Sequence, residues 1–222
     1  MFKSIALKNY FDFDKRLYFL LICGAYLCVM YIYQDMILHD SLYYEAYSEQ
    51  LAPDRIEAII QFNRKWSWLS YVLMPVILLL RISVVSLCIL AGVLLAEYKV
   101  SYRRIFQIVL IAEAVYLIPV AINLTYFLWI ASDYSLADIQ HFDIYSLRAL
   151  VGTAGLEGWL SYLLASLNMI ELMYWLTLAY GFYIVMQGKS YSESFALVAT
   201  SYGTAWLLWV AGITFLIVSL AS

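Results

Sequence analysis

Asn168 to Lys189 reads NMIELMYWLTLAYGFYIVMQGK and sits in a run from Gly158 to Gly188 whose only charge is Glu171. About twenty consecutive apolar residues suffice for a helix to cross a bilayer. A carboxylate inside such a segment is costly unless it finds a partner. The stretch therefore reads as a transmembrane helix carrying one acid, and it directs attention to the segments that would surround that acid.

The composition fits this reading. Of the 222 residues, 65% are hydrophobic and 13% are charged, whereas a soluble domain carries about 25% charged residues. The chain reads as an all-α, polytopic membrane protein. A net charge of -3, with no strongly basic patch, gives no sign of a nucleic-acid partner. Cys23, Cys28 and Cys88 each lie in an apolar run without CxxC spacing, so they read as small packing residues. The mixed-charge stretch Lys3 to Arg16 precedes the first apolar run, and no small-x-small site follows it cleanly. That start reads as an uncleaved first span.

In chain order, residues 1–16 read as a short interfacial helix or a solvated cytoplasmic tail. The first span is expected at 17–38, with tyrosines at both ends as in an interfacial belt. Residues 39–65 form an external connection. In it Ala52-Pro53-Asp54 resembles a helix start, and Ile56, Ile59, Ile60 and Asn63 repeat at helical spacing. This amphipathic helix is expected to lie on the membrane or to run directly into the second span, 66–97. Pro75 leaves that span as either one long tilted helix or a broken one. The third span is expected at 105–131, followed by an external connection at 132–158, a fourth span at 159–187 and a fifth at 194–220.

Five spans place the termini on opposite sides. With the N-terminus inside, eight basic residues are cytoplasmic: Lys3, Lys8, Lys15, Arg16, Lys99, Arg103, Arg104 and Lys189. Four lie outside: Arg55, Arg64, Lys65 and Arg148. The positive-inside rule then selects N-in, C-out. The two turns, Lys99-Val100-Ser101-Tyr102 and Lys189-Ser190-Tyr191, also resemble each other, which suggests parallel repeats.

Five polar residues within the spans form the candidate site: Arg81, Glu113, Asn123, Asn168 and Glu171. Arg81 and Glu171 each precede a turn lysine by eighteen residues, or about 27 Å of helix. Equal depth makes them the expected ion pair. Asn168 and Trp175 share a helix face with Glu171, and Asn123 reaches a similar level. Glu113 lies closer to the inner turn, and its partner is left open between water, a proton and Tyr or Ser hydroxyls. Such a set either locks helices together, lines a substrate or proton path, or docks a partner's helix.

Catalytic and cofactor signatures are missing from the pattern. His39 and His141 lack metal-ligand spacing, and neither a phosphate loop nor a GxSxG elbow occurs. No cofactor and no metal are expected, and the protein is expected not to be an enzyme.

The turn followed by Phe106-Gln107-Ile108-Val109, then Ala114 to Pro119, resembles the bacterial Yip1-domain proteins. So does Leu167-Asn168-Met169 entering a span with Trp175 and Gly181, then a Gly-Lys-Ser turn and Phe195-Ala196. The likeness covers residues 66–220, and Glu171 departs from it, since that position is commonly apolar or aromatic. The resemblance implies a non-enzymatic integral protein of the bacterial inner membrane, acting as a scaffold or accessory subunit. Its partners would be the lipid bilayer and another membrane protein or a second copy of itself. The alternative is a small transporter or channel component with a polar path along Arg81, Glu171 and Glu113.

Overall fold

The computed structural model describes residues 14–152, 156–186 and 188–221. The expected interfacial helix over 1–16 therefore lies outside the described residues, except for its last three. So do Gly155 of the second connection and Gln187 at the end of the expected fourth span. Among the described residues the chain is helical and forms no strand, only an isolated bridge between Ser146 and Asn168.

Helix α1 is Lys15–Ile32 and runs into a π-turn, Tyr33–Ile37. The short α2, Asp40–Tyr47, leads to α3, Pro53–Leu95. Helix α3 has 43 residues and runs unbroken through Pro75. At about 1.5 Å per residue it is about 64 Å long, twice a hydrocarbon core of about 30 Å. The amphipathic helix after Pro53 and the expected second span are thus one helix. Helix α4, Tyr102–Ala112, tightens into a 3-10 turn, Glu113–Tyr116. The chain continues as α5, Leu117–Thr125, and a π-turn, Tyr126–Ile130. Short helices α6, Leu136–His141, and α7, Leu147–Val151, follow.

The expected fourth span, 159–187, is not one helix. It is α8, Gly158–Ser166, and α9, Met169–Val185, separated at Leu167-Asn168. The break is stabilised by hydrogen bonding: Leu147 N–H donates to the Leu167 carbonyl at 3.0 Å, and Met169 N–H to the Tyr145 carbonyl at 3.0 Å. Irregular backbone inside an apolar region survives only when its polar groups find partners in this way. The last hairpin arm is α10, Tyr191–Val198, a π-turn, Ala199–Gly203, and α11, Thr204–Ala221.

Within what the sequence reads as one membrane domain, the chain forms two compact units. One comprises Leu80–Tyr116 and Asp143–Ser222 with the first residues of α1; the other comprises Phe19–Leu79 and Leu117–Phe142. In the first unit, Ile82, Val85, Ile89 and Val93 form one buried stripe of α3, and Ile105, Ile108, Val109 and Ala112 form another on α4. Both stripes recur at three- and four-residue spacing, which puts them on one helix face. Tyr174, Leu178 and Phe182 of α9 are fully buried. Helix α10 opens with a capping box, in which Ser190 and Glu193 satisfy each other's backbone N–H groups. In the second unit Phe127 packs edge-on to Tyr134 and Phe142, and the Tyr134 hydroxyl donates to the Ile37 carbonyl at 3.2 Å.

The outward surface is apolar. Leu208 and Phe215 are each 70% exposed, and Leu80 is 64% exposed. Among the described residues four helical stretches are long and apolar enough to cross a membrane: Lys15–Ile37, Pro53–Leu95, Tyr102–Ile130 and Tyr191–Leu220. Helix α9 is apolar but shorter. These features are compatible with an integral membrane protein.

Candidate functional site

The site lies within the first unit and begins with three local backbone features. The first is the 3-10 turn. Pro119 has no N–H to donate to the Val115 carbonyl four residues back, which disfavours regular α-helix there. In a 3-10 turn residues three apart eclipse one another, so Glu113 and Tyr116 stand on the same side. The second is the N-terminus of α9. Asn168 Oδ1 accepts the Glu171 N–H at 2.7 Å, while its amide donates to the Ala165 and Ser166 carbonyls at the end of α8. One side chain thus terminates one helix and caps the next. It also places Glu171 in the first turn of α9, where the helix dipole favours negative charge.

The third feature is the π-turn at Ala199–Gly203. Thr200 and Ser201 hydrogen-bond back to the carbonyls of Ala196 and Leu197 at 2.8 and 2.6 Å, a habit that bends helices. The wider turn presents Tyr202 to α9. Gly203 makes room beside it: a Cβ there would stand 2.6 Å from the Trp175 ring.

These features assemble a carboxylate cradle. Glu171 Oε2 accepts from the Tyr116 hydroxyl at 2.7 Å. Its Oε1 accepts from the Tyr202 hydroxyl and from Trp175 Nε1, each at 2.8 Å. Glu171 is therefore held by three donors from three segments of the chain. Hydrogen bonds to an ionised acceptor are the stronger kind, and three of them replace much of the water a carboxylate loses. Tyr174 packs between the donors, with ring centroids 4.8 Å from Tyr116 and 5.6 Å from Tyr202. Its hydroxyl is buried without a partner among the described residues.

Arg81 pairs with Glu113, not with Glu171. Arg81 Nη1 lies 3.2 Å from Glu113 Oε1, and its guanidinium carbon stands 3.7 Å above the Tyr116 ring. Equal depth does not decide the pairing: Glu171 lies fourteen residues from the end of α9, as Arg81 does from the end of α3, but its oxygens are taken by Tyr116, Trp175 and Tyr202. Helix α3 ends at Leu95, so Arg81 lies fourteen residues from its end, and Glu113 lies eleven from the start of α4. These positions are about 21 and about 17 Å along their helices, a gap an arginine side chain spans. Glu113 is fully buried, and neither of its oxygens has a hydrogen-bond donor among the described residues. The contact is ionic, and the Tyr116 face completes the coordination of the cation. Tyr116 touches both halves, with its ring under Arg81 and its hydroxyl on Glu171.

Of the five residues expected to form the polar set, Arg81, Glu113, Asn168 and Glu171 belong to this unit. Asn168 acts through the Glu171 backbone and not as a member of the charged cluster. Asn123 belongs to the other unit, where its Oδ1 is buried without a partner among the described residues. Sequence reasoning missed Tyr116, Tyr174 and Tyr202, treating the 21 tyrosines as interface and packing. Tyr116 had a signal, since it stands three residues after Glu113. Tyr202 had none, because the π-turn shifts the face on which it would otherwise be placed.

Comparison of the chain with family models, with curated proteins and with solved structures finds no match.

Proposed function

We propose that this chain is an integral protein of the bacterial inner membrane that works by association, as a scaffold or accessory subunit resembling the Yip1-domain proteins. In this reading it is not an enzyme. It crosses the bilayer five times, α9 supplying the fourth crossing, with its N-terminus in the cytoplasm and its C-terminus outside. A helix of 17 residues is within the range of about 17–25 that crosses a bilayer. The partner is another membrane protein or a second copy of the chain.

The observation that carries this reading is the hold on Glu171 by three side-chain donors, Tyr116, Trp175 and Tyr202. A transport site must release and rebind its ligand or proton, whereas a carboxylate held by three side chains stiffens the bundle around it. Glu113 supports the same reading, being fully buried against Arg81. A rigid bundle with an apolar outer face suits a part that others pack against.

The second reading, a transporter or channel component, draws on Arg81, whose side chain is 39% exposed. Native mass spectrometry of protein extracted in gentle detergent at native expression separates the two. A homodimer or a stoichiometric membrane complex supports association. A monomer without partners, together with proton or solute flux in proteoliposomes that Glu171→Gln abolishes, would replace it with transport.

A further inference from the structure

The second unit contains a cavity of about 1180 Å³, lined by the end of α1 and its π-turn, the start of α2, the first turns of α3 and part of α5. It is distinct from the carboxylate cradle, and ligand binding there is independent of the association reading. Three features of its wall specify a ligand.

The first is charge. Its charged side chains are Asp35, Asp40 and Arg64, with His39 beside them. Arg64 Nη2 lies 2.7 Å from Asp40 Oδ2, so those two neutralise each other. Asp35 is exposed and makes no hydrogen bond or ion pair among the described residues. The wall therefore presents one uncompensated negative charge.

The second is aromatic surface. Five of the nineteen lining residues are tyrosines, and ring faces attract cations through their quadrupoles. Tyr71 and Tyr43 are held in place: the Tyr71 hydroxyl donates to Gln34 Oε1 at 2.8 Å, and the Tyr43 hydroxyl accepts from Asn63 Nδ2 at 3.5 Å. Tyr31 is 61% exposed and has its face available. The π-turn Tyr33–Ile37 sits at this wall, and such widened turns are frequent where a helix serves a ligand.

The third is an apolar floor. Val29, Met30 and Val120 line the same cavity. A small inorganic cation has no use for such a floor. An anion finds only Arg64, which Asp40 already occupies.

We propose that this cavity binds an amphiphilic organic cation. Its ammonium head is held by the Asp35 carboxylate and the tyrosine faces, and its apolar chain lies along Val29, Met30 and Val120. Two sources present this chemistry: the amine headgroup of a bilayer phospholipid, and a free amphiphilic ammonium compound.

The test uses the full chain purified in maltoside, with dodecyltrimethylammonium and dodecyl sulfate as paired soluble probes in equilibrium dialysis. Saturable binding of the cation, but not of the sulfate, is expected. Asp35→Asn and Tyr31→Leu should each weaken it about three- to five-fold, the weight of an exposed ion pair or cation–π contact. Both residues are exposed, so unchanged melting of the variants separates lost binding from lost folding. In a second arm, the protein is reconstituted in equimolar phosphatidylethanolamine and phosphatidylglycerol, then extracted for native mass spectrometry. Retained phosphatidylethanolamine that Asp35→Asn releases assigns the site to the lipid. Cation binding without retained lipid assigns it to a free amphiphile. Equal binding by wild type and both variants, or saturable binding of neither probe and no retained amine lipid, overturns the proposal.

Discussion

The Tyr202 hydroxyl donates to Glu171 Oε1 at 2.8 Å across 31 positions of sequence, tying the π-turn between α10 and α11 to the first turn of α9. The adjacent Tyr174 is fully buried, yet its hydroxyl has no partner among the described residues. The two tyrosines should therefore respond oppositely to loss of the hydroxyl. Tyr202→Phe should lower stability by about 1 kcal/mol, the net worth of a typical hydrogen bond. Tyr174→Phe should be neutral or stabilising by up to about 1 kcal/mol, because it removes an unpaired buried group. Denaturant unfolding in detergent measures both, and equal destabilisation would reject the assigned donors.

Gly203 is required by the ring beside it. Its Cβ position lies 2.6 Å from the Trp175 ring, so Gly203→Ala must push the indole aside and break its bond to Glu171. A loss of about 1–3 kcal/mol is expected from overpacking, together with a shift of tryptophan emission. An unchanged emission spectrum and melting point would show that the ring is not seated there.

Asn168→Ala should cost about 1 kcal/mol, the usual penalty for losing an N-cap. Asn168→Asp, which keeps the acceptor but not the amide, should retain the cap on α9 and lose the bonds to the Ala165 and Ser166 carbonyls. A smaller loss in Asn168→Asp than in Asn168→Ala is the expected order in thermal unfolding.

The proposed orientation has its own check. In a background with Cys23, Cys28 and Cys88 replaced by alanine, Lys99→Cys should label with impermeant maleimide only from the cytoplasmic side. Asp133→Cys should label only from outside. Labelling of both from one side would remove the third crossing, and the five-span arrangement with it.

The helical class and the spans are legible in the sequence because they follow from apolar runs and helical spacing. Whether α3 is one helix is not legible, because proline within an apolar helix is compatible with both outcomes and surrounding packing decides. The break at Leu167-Asn168 carries neither a charge nor a glycine, and its one sequence mark is Asn168 three residues before Glu171, the spacing of a helix start. Its stabilisation comes from residues 145–147, about twenty positions earlier in the sequence. The candidate polar residues stand out by their cost in an apolar setting, but their pairing does not. Depth along the helices matches Arg81 with Glu171 even when counted from the helix ends, and it cannot anticipate Tyr116 standing between them.

A double-mutant cycle on Arg81 and Glu113 tests the locked pair most directly. Removing one partner of a buried pair leaves the other charge uncompensated, so Arg81→Leu and Glu113→Leu should each lower stability by about 2 kcal/mol, less than a fully buried pair because Arg81 is partly exposed. The double variant should lose less than the sum of the two, with a coupling of about 1 kcal/mol or more. Additive losses in this cycle, with coupling instead between Arg81 and Glu171, would contradict the pairing on which the lock depends.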